Sequence, residues 1–187
     1  MQKSRRFLPA ALLLAMSMFL SSLWSDCSAG VFRFREIAVE FGYGAGIENT
    51  KLLRLDAQWS FQPRLWRSDK IEVVGVGQLA FGMWKGDREI TNLSATPILR
   101  LQGTSRSKTI RPYLEIGVGL HYISDIQMRR RVLSTNFQFG DHAGIGFEIG
   151  RANFIDFAYM FQHHSNASIK RPNSGINFHI IRVGYSF

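Results

Sequence analysis

The chain has 187 residues, 45% of them hydrophobic and 13% aromatic, with a formal net charge of +9 and one cysteine. A lone cysteine excludes an internal disulfide, and beyond the N-terminus no stretch approaches the roughly eighteen apolar residues of a helical span. A basic balance can signal nucleic acid, but in an exported chain anionic lipid headgroups are the natural counterpart, so no nucleic-acid partner is expected.

The first segment reads as an export signal. Lys3, Arg5 and Arg6 form a positive start, Phe7 to Leu23 is mostly apolar, and Cys27-Ser28-Ala29 offers small residues for cleavage. Trp24 is a poor fit to the aliphatic position of a lipoprotein signal. Residues 1–29 are therefore expected to be a signal peptide and 30–187 a single domain; an uncleaved membrane anchor is the competing reading. Cleavage after Ala29 would leave 158 residues without cysteine, 20 basic against 13 acidic, a formal +7.

The rest alternates with a period of two. Leu114, Ile116, Val118, Leu120 and Tyr122 oppose Glu115, Gly117, Gly119 and His121. Phe137, Phe139, Ala143, Ile145 and Phe147 oppose Gln138, Gly140, His142, Gly144, Gly146 and Glu148; Ile181, Val183, Tyr185 and Phe187 oppose Arg182, Gly184 and Ser186. This periodicity predicts strands, at 32–45, 50–61, 71–84, 89–102, 110–124, 133–148, 152–165 and 176–187. Their length suits tilted membrane crossings better than soluble strands. The expected fold is all-β, an eight-stranded antiparallel transmembrane β-barrel, which leaves no unpaired edge in lipid. It is expected in the cell outer membrane as a multi-pass protein. The alternative is a soluble eight-stranded calyx with its apolar face inward.

On the seventh strand, Phe157, Tyr159, Phe161, His163 and Ser165 share one face. Two polar groups ending an oily, lipid-facing row cost several kcal/mol without structural return. Residues two apart on a strand lie within about 7 Å, so His163 can act as the base that activates a Ser165 nucleophile; the competing reading is two polar residues at the membrane interface. A third group is needed to orient the imidazole. Asn177 on the next strand is the candidate, with His179 as an alternative nearer the midplane. Asn166, or backbone N–H groups near it, are candidates for an oxyanion hole. With both termini on the periplasmic side, the loops after strands one, three, five and seven are external. Arg129-Arg130-Arg131 after strand five reads either as a site for lipid phosphates or as a solvated charge run. His121 and His142 face inward and form no ligand cluster, so neither metal nor cofactor is expected.

The string His163-His164-Ser165-Asn166-Ala167-Ser168-Ile169-Lys170-Arg171-Pro172-Asn173-Ser174-Gly175, preceded by Phe137-Gln138-Phe139-Gly140-Asp141-His142, resembles the PagL lipid A 3-O-deacylases of Gram-negative outer membranes. The resemblance is most specific from Tyr113 to Phe187. It implies an eight-stranded barrel that hydrolyses the 3-hydroxyacyl ester at position 3 of lipid A, with lipopolysaccharide as substrate and outer-membrane lipids as surroundings. It also implies His163 as base, Ser165 as nucleophile, and Asn166 with the following backbone at the oxyanion hole. The family carries a glutamate twelve residues after its serine; here that position is Asn177. A lipid A acyltransferase and a non-enzymatic structural or adhesive barrel are the rival functions. A homodimer through the aromatic outer face is left open.

Overall fold

The computed structural model describes residues 32–62, 64–104 and 109–187; the expected signal segment, 1–29, lies outside them. Eight long strands dominate: β1 (Phe32–Ala45), β2 (Lys51–Phe61), β3 (Ile71–Lys85), β4 (Glu89–Gly103), β5 (Ile110–Ile123), β6 (Phe137–Gly150), β7 (Phe154–Ser165) and β8 (Ile176–Ser186). Each pairs antiparallel with its sequence neighbours, and β1 pairs with β8 from Ile37↔Tyr185 to Ala45↔Asn177, which closes the barrel. Closure satisfies the backbone groups that an open edge would leave bare in lipid.

The alternation seen in sequence becomes a partition between two environments. Along β5 every odd–even step switches between buried and exposed, with Ile116 58% and Val118 60% exposed while Glu115 and His121 are buried. The apolar face therefore points outward, which removes the calyx alternative. One expectation needs correction. A multi-pass description does not fit, because all eight strands belong to one closed barrel that enters a membrane as a single unit. No helix among the described residues is long and apolar enough to cross a membrane.

Strand boundaries agree with the periodicity to within one residue except that β6 runs to Gly150 rather than 148, β7 begins at Phe154 rather than 152, and β6 begins at Phe137 rather than 133. Leu133 is fully buried, Ser134 has a φ of +61°, and Thr135 N donates to Leu133 O, so the chain turns where alternation suggested a strand. The 124–136 loop instead holds a small hairpin, Gln127–Met128 against Arg131–Val132.

Two kinds of packing fill the lumen. In the half nearer the chain ends, Arg100 and Arg182 both donate to Glu115 at 2.9 Å. Tyr113 donates to Asp156 at 2.8 Å and accepts from Arg182 at 2.9 Å. Arg35 and Arg111 reach Glu148. Pairing matters because an uncompensated buried charge costs several kcal/mol. In the other half, beneath the loops 46–50, 86–88, 124–136 and 166–175, Trp84, Phe178, Met160, Ile123 and Leu133 belong to an apolar cluster. This floor supports the loop that follows β7.

Candidate active site

The inward–outward alternation of β7 sends adjacent histidines to opposite sides of the wall. His164 is fully buried in the lumen, its ring centroid 4.6 Å from that of His121 and 4.8 Å from Trp84. His163 and Ser165 are half-buried on the outer face. His163 pairs directly with Asn177 across β7 and β8, and its Nδ1 lies 2.5 Å from Asn177 Oδ1. With the amide oxygen facing the ring, Nδ1 donates, and Nε2 keeps the lone pair a base requires. Among the described residues no hydrogen bond joins the Ser165 hydroxyl to the imidazole. The two are neighbours on one face, and such bonds commonly tighten only with substrate in place.

Gly175 sets how close the loop comes to the ring. Its φ is +59°, and a Cβ there would sit 2.7 Å from His163 Cε1 and 3.4 Å from Nε2. Any side chain would meet both a steric wall and a left-handed backbone.

The Asn166 side chain is buried rather than open to the outer face. Its Nδ2 donates to Leu133 O and Lys170 O, both at 2.8 Å, and its backbone N–H reaches Asn173 Oδ1 at 3.3 Å. The side-chain amide thus ties the loop together instead of offering hydrogens to a substrate. The next two residues, Ala167 and Ser168, have φ of +51° and +62°, inside a turn closed by Ile169 N donating to Asn166 O. Their own N–H groups have no partner among the described residues.

The arginine run divides. Arg131 donates to Ser174 O at 3.0 Å, beside Gly175, and so fastens the 124–136 loop to the 166–175 loop. Ser134 Oγ, donating to Pro172 O, and Ser174 N, donating to Val132 O, add to the same seam. All three arginines also line a cleft of about 460 Å³ with Gly46, Ile47 and Glu48. His179, the alternative third member, is taken up elsewhere: its Nδ1 lies 2.7 Å from Tyr159 OH, and it pairs across the strands with Phe161 rather than His163.

A mainly apolar groove of about 700 Å³ runs over the outer wall and ends at His163; Leu99, Ile116, Val118, Ala143 and Phe161 line it. Pro97 lies in it too. Lacking an N–H, Pro97 interrupts the β4–β5 ladder, which runs Ala95↔Leu120 and resumes at Ile98↔Gly117. The groove also contains Asp141, an exposed carboxylate that shares the outward parity of Phe137, Phe139 and Ala143 and stands directly across from His163 on β6. Sequence reasoning passed over Asp141 and Gly175. The signal for the first was there: a carboxylate on an otherwise oily parity. The second depends on a loop conformation that no pattern reveals.

Residues 51–186 match the family described as lipid A 3-O-deacylase (PagL). The chain belongs to this family. The PagL lipid A deacylase of Pseudomonas aeruginosa is 25% identical over 177 residues, covering 92% of this chain and 93% of that protein. The PagL of Bordetella bronchiseptica is 38% identical over 77 residues, 41% of each chain. Among solved structures, the outer membrane enzyme PagL superposes with a TM-score of 0.74 at 22% identity, covering 81% of this chain and 99% of that one. Neisserial surface protein A follows the same fold less closely, with a TM-score of 0.51 at 10% identity, covering 85% and 98%. PagL membership and the closed eight-stranded architecture together make this an outer-membrane β-barrel.

Proposed function

We propose that this member of the PagL family is a serine esterase that removes the 3-hydroxyacyl chain from position 3 of lipid A. The observation that carries this reading is a histidine oriented by a 2.5 Å bond to Asn177, beside Ser165, at the end of an apolar groove on the lipid-facing wall. An acyl chain lying in that groove brings its ester to the polar residues at the rim. A substrate embedded in the outer leaflet suits a site on the outside of a barrel whose lumen is packed.

In this reading Ser165 Oγ attacks the ester carbonyl while His163 Nε2 takes the hydroxyl proton. The carbonyl oxygen takes up the negative charge, and the free N–H groups of Ala167 and Ser168, in the turn fixed by Asn166, stabilise it. Collapse breaks the bond to the 3-oxygen of the sugar, which leaves with the proton from His163. Water then adds to the acyl-enzyme with His163 again as base, releasing the 3-hydroxy fatty acid and restoring Ser165. Arg129, Arg130 and Arg131 meet the substrate's phosphates at their cleft, and residues 1–29 direct export.

Mass analysis of lipid A from cells with and without the protein tests this. The expected result is loss of one 3-hydroxyacyl group, release of the free acid, and no change when Ser165→Ala is expressed. A gain in acyl mass would mean an acyltransferase. Unaltered lipid A in the presence of folded protein would mean a structural or adhesive barrel.

A further inference from the structure

Asn177 can hold the imidazole but brings no negative charge. When Ser165 gives up its proton, His163 becomes a cation, and an amide oxygen stabilises it only as a dipole. On its own strand the outward neighbours of His163 are Phe161 and Ser165, and neither is charged. Across the other ladder stands Asp141.

Several features set this carboxylate apart. It lies on the apolar parity of β6, between Phe139 and Ala143, and its partner on β5 is Val118. Among the described residues no hydrogen bond or ion pair holds it. An ionisable group on a lipid-facing wall is costly and marks function. Directly opposed residues in an antiparallel pair have Cβ atoms about 4.5–5.5 Å apart, and Asp141 and His163 line the same groove. The two side chains do not meet as an ion pair in the structure. From neighbouring Cβ positions a rotamer change brings the carboxylate toward the imidazolium as it forms, and beside lipid the pair is screened less than in bulk solvent.

We propose that Asp141 is the counter-charge of the catalytic imidazole, supplying from β6 the negative charge that Asn177 on β8 does not. This rests on the deacylase reading and deepens it. Asp141 acts through His163, so it is a positioning residue and not a group that meets the substrate. It takes up no proton. The proton moves from Ser165 Oγ to His163 Nε2 as the Oγ–carbon bond forms, and from Nε2 to the departing 3-oxygen as the ester bond breaks. Asp141 stabilises the imidazolium between those two events. The division of labour is that Asn177 fixes the tautomer and Asp141 fixes the charge.

The test is a double-mutant cycle on full-length protein, folded in detergent and assayed on lipid A. Asp141→Asn is expected to lower kcat by about a hundredfold, with KM within about twofold, because the charge is needed only in the transition state. Asp141→Glu is expected to retain most of the rate. In an Asn177→Glu background, where a carboxylate already faces the ring, the loss from Asp141→Asn is expected to shrink to less than about fivefold. An unchanged kcat, an effect confined to KM, or an equal loss in both backgrounds overturns the proposal. Ser165→Ala is run beside these variants: if it turned over normally, the deacylase reading itself would fail, whatever Asp141 does.

Discussion

His163 and His164 are the same residue one position apart, and the wall of the barrel gives them opposite fates. His164 is enclosed by Trp84, His121 and Phe178, and neither ring nitrogen has a hydrogen-bond partner among the described residues. His163 is half-exposed, bonded at one nitrogen, and bordered by a glycine that gives it room. Strand parity alone sends one side chain to the lumen and the other to the groove. The side of the wall each histidine faces decides its surroundings, so the conspicuous pair His163-His164 is one proposed base and one packing ring.

The sharpest way to break this contrast is to remove the proposed reactive pair. Ser165→Ala or His163→Ala is expected to lower deacylation by about a thousandfold or more, with folded barrel still visible as heat-modifiable migration on gels; residual activity near the native level would show the chemistry to be elsewhere. Gly175→Ala comes next. It pushes a methyl group into the imidazole edge, and kcat is expected to fall by about a hundredfold through misplacement of the ring, while KM moves little. Asn177→Glu is expected to raise the rate by up to about tenfold, because a carboxylate would hold the imidazolium directly; a decrease would mean that the site is tuned to the amide. On the other side of the wall, His164→Phe keeps an aromatic ring of slightly larger size and removes two buried nitrogens. It is expected to leave activity within about twofold and unfolding free energy within about 1 kcal/mol. Large loss of activity in that variant would erase the distinction between the two sides.

Much of this architecture was legible because a period of two is hard to mistake over eleven to fifteen residues. Phe32–Ala45 and Ile71–Lys85 fall within one residue of the expected bounds. The loops were less readable. At 133–136 the residues alternate as a strand would, but Leu133 is drawn under the loop and Ser134 takes a left-handed conformation, which starts β6 later. The placement of the candidate residues was readable where parity governed it: His163, Ser165 and Asn177 share the outer face, and His163 stands in register with Asn177. Asn166 also followed parity and turned inward, yet its role in tying 133 to 170 depends on two loops meeting, which no local pattern encodes. Asp141 was skipped because the oily residues around it drew attention to themselves. Gly175 carries meaning only once the ring beside it is in place.

The packed lumen also bears on how material can move. Arg54, Arg100 and Arg182 are at most 2% exposed in the middle of the barrel, and the apolar cluster lies over them beneath the loops. The molecule is a rivet rather than a pipe. Under the proposed reaction, the water that frees the acyl-enzyme must arrive along the outer rim, and both products must leave sideways into the leaflet that supplied the substrate. Turnover is then governed by how wet the rim is and how fluid the surrounding lipid is, with no flux from one side of the membrane to the other.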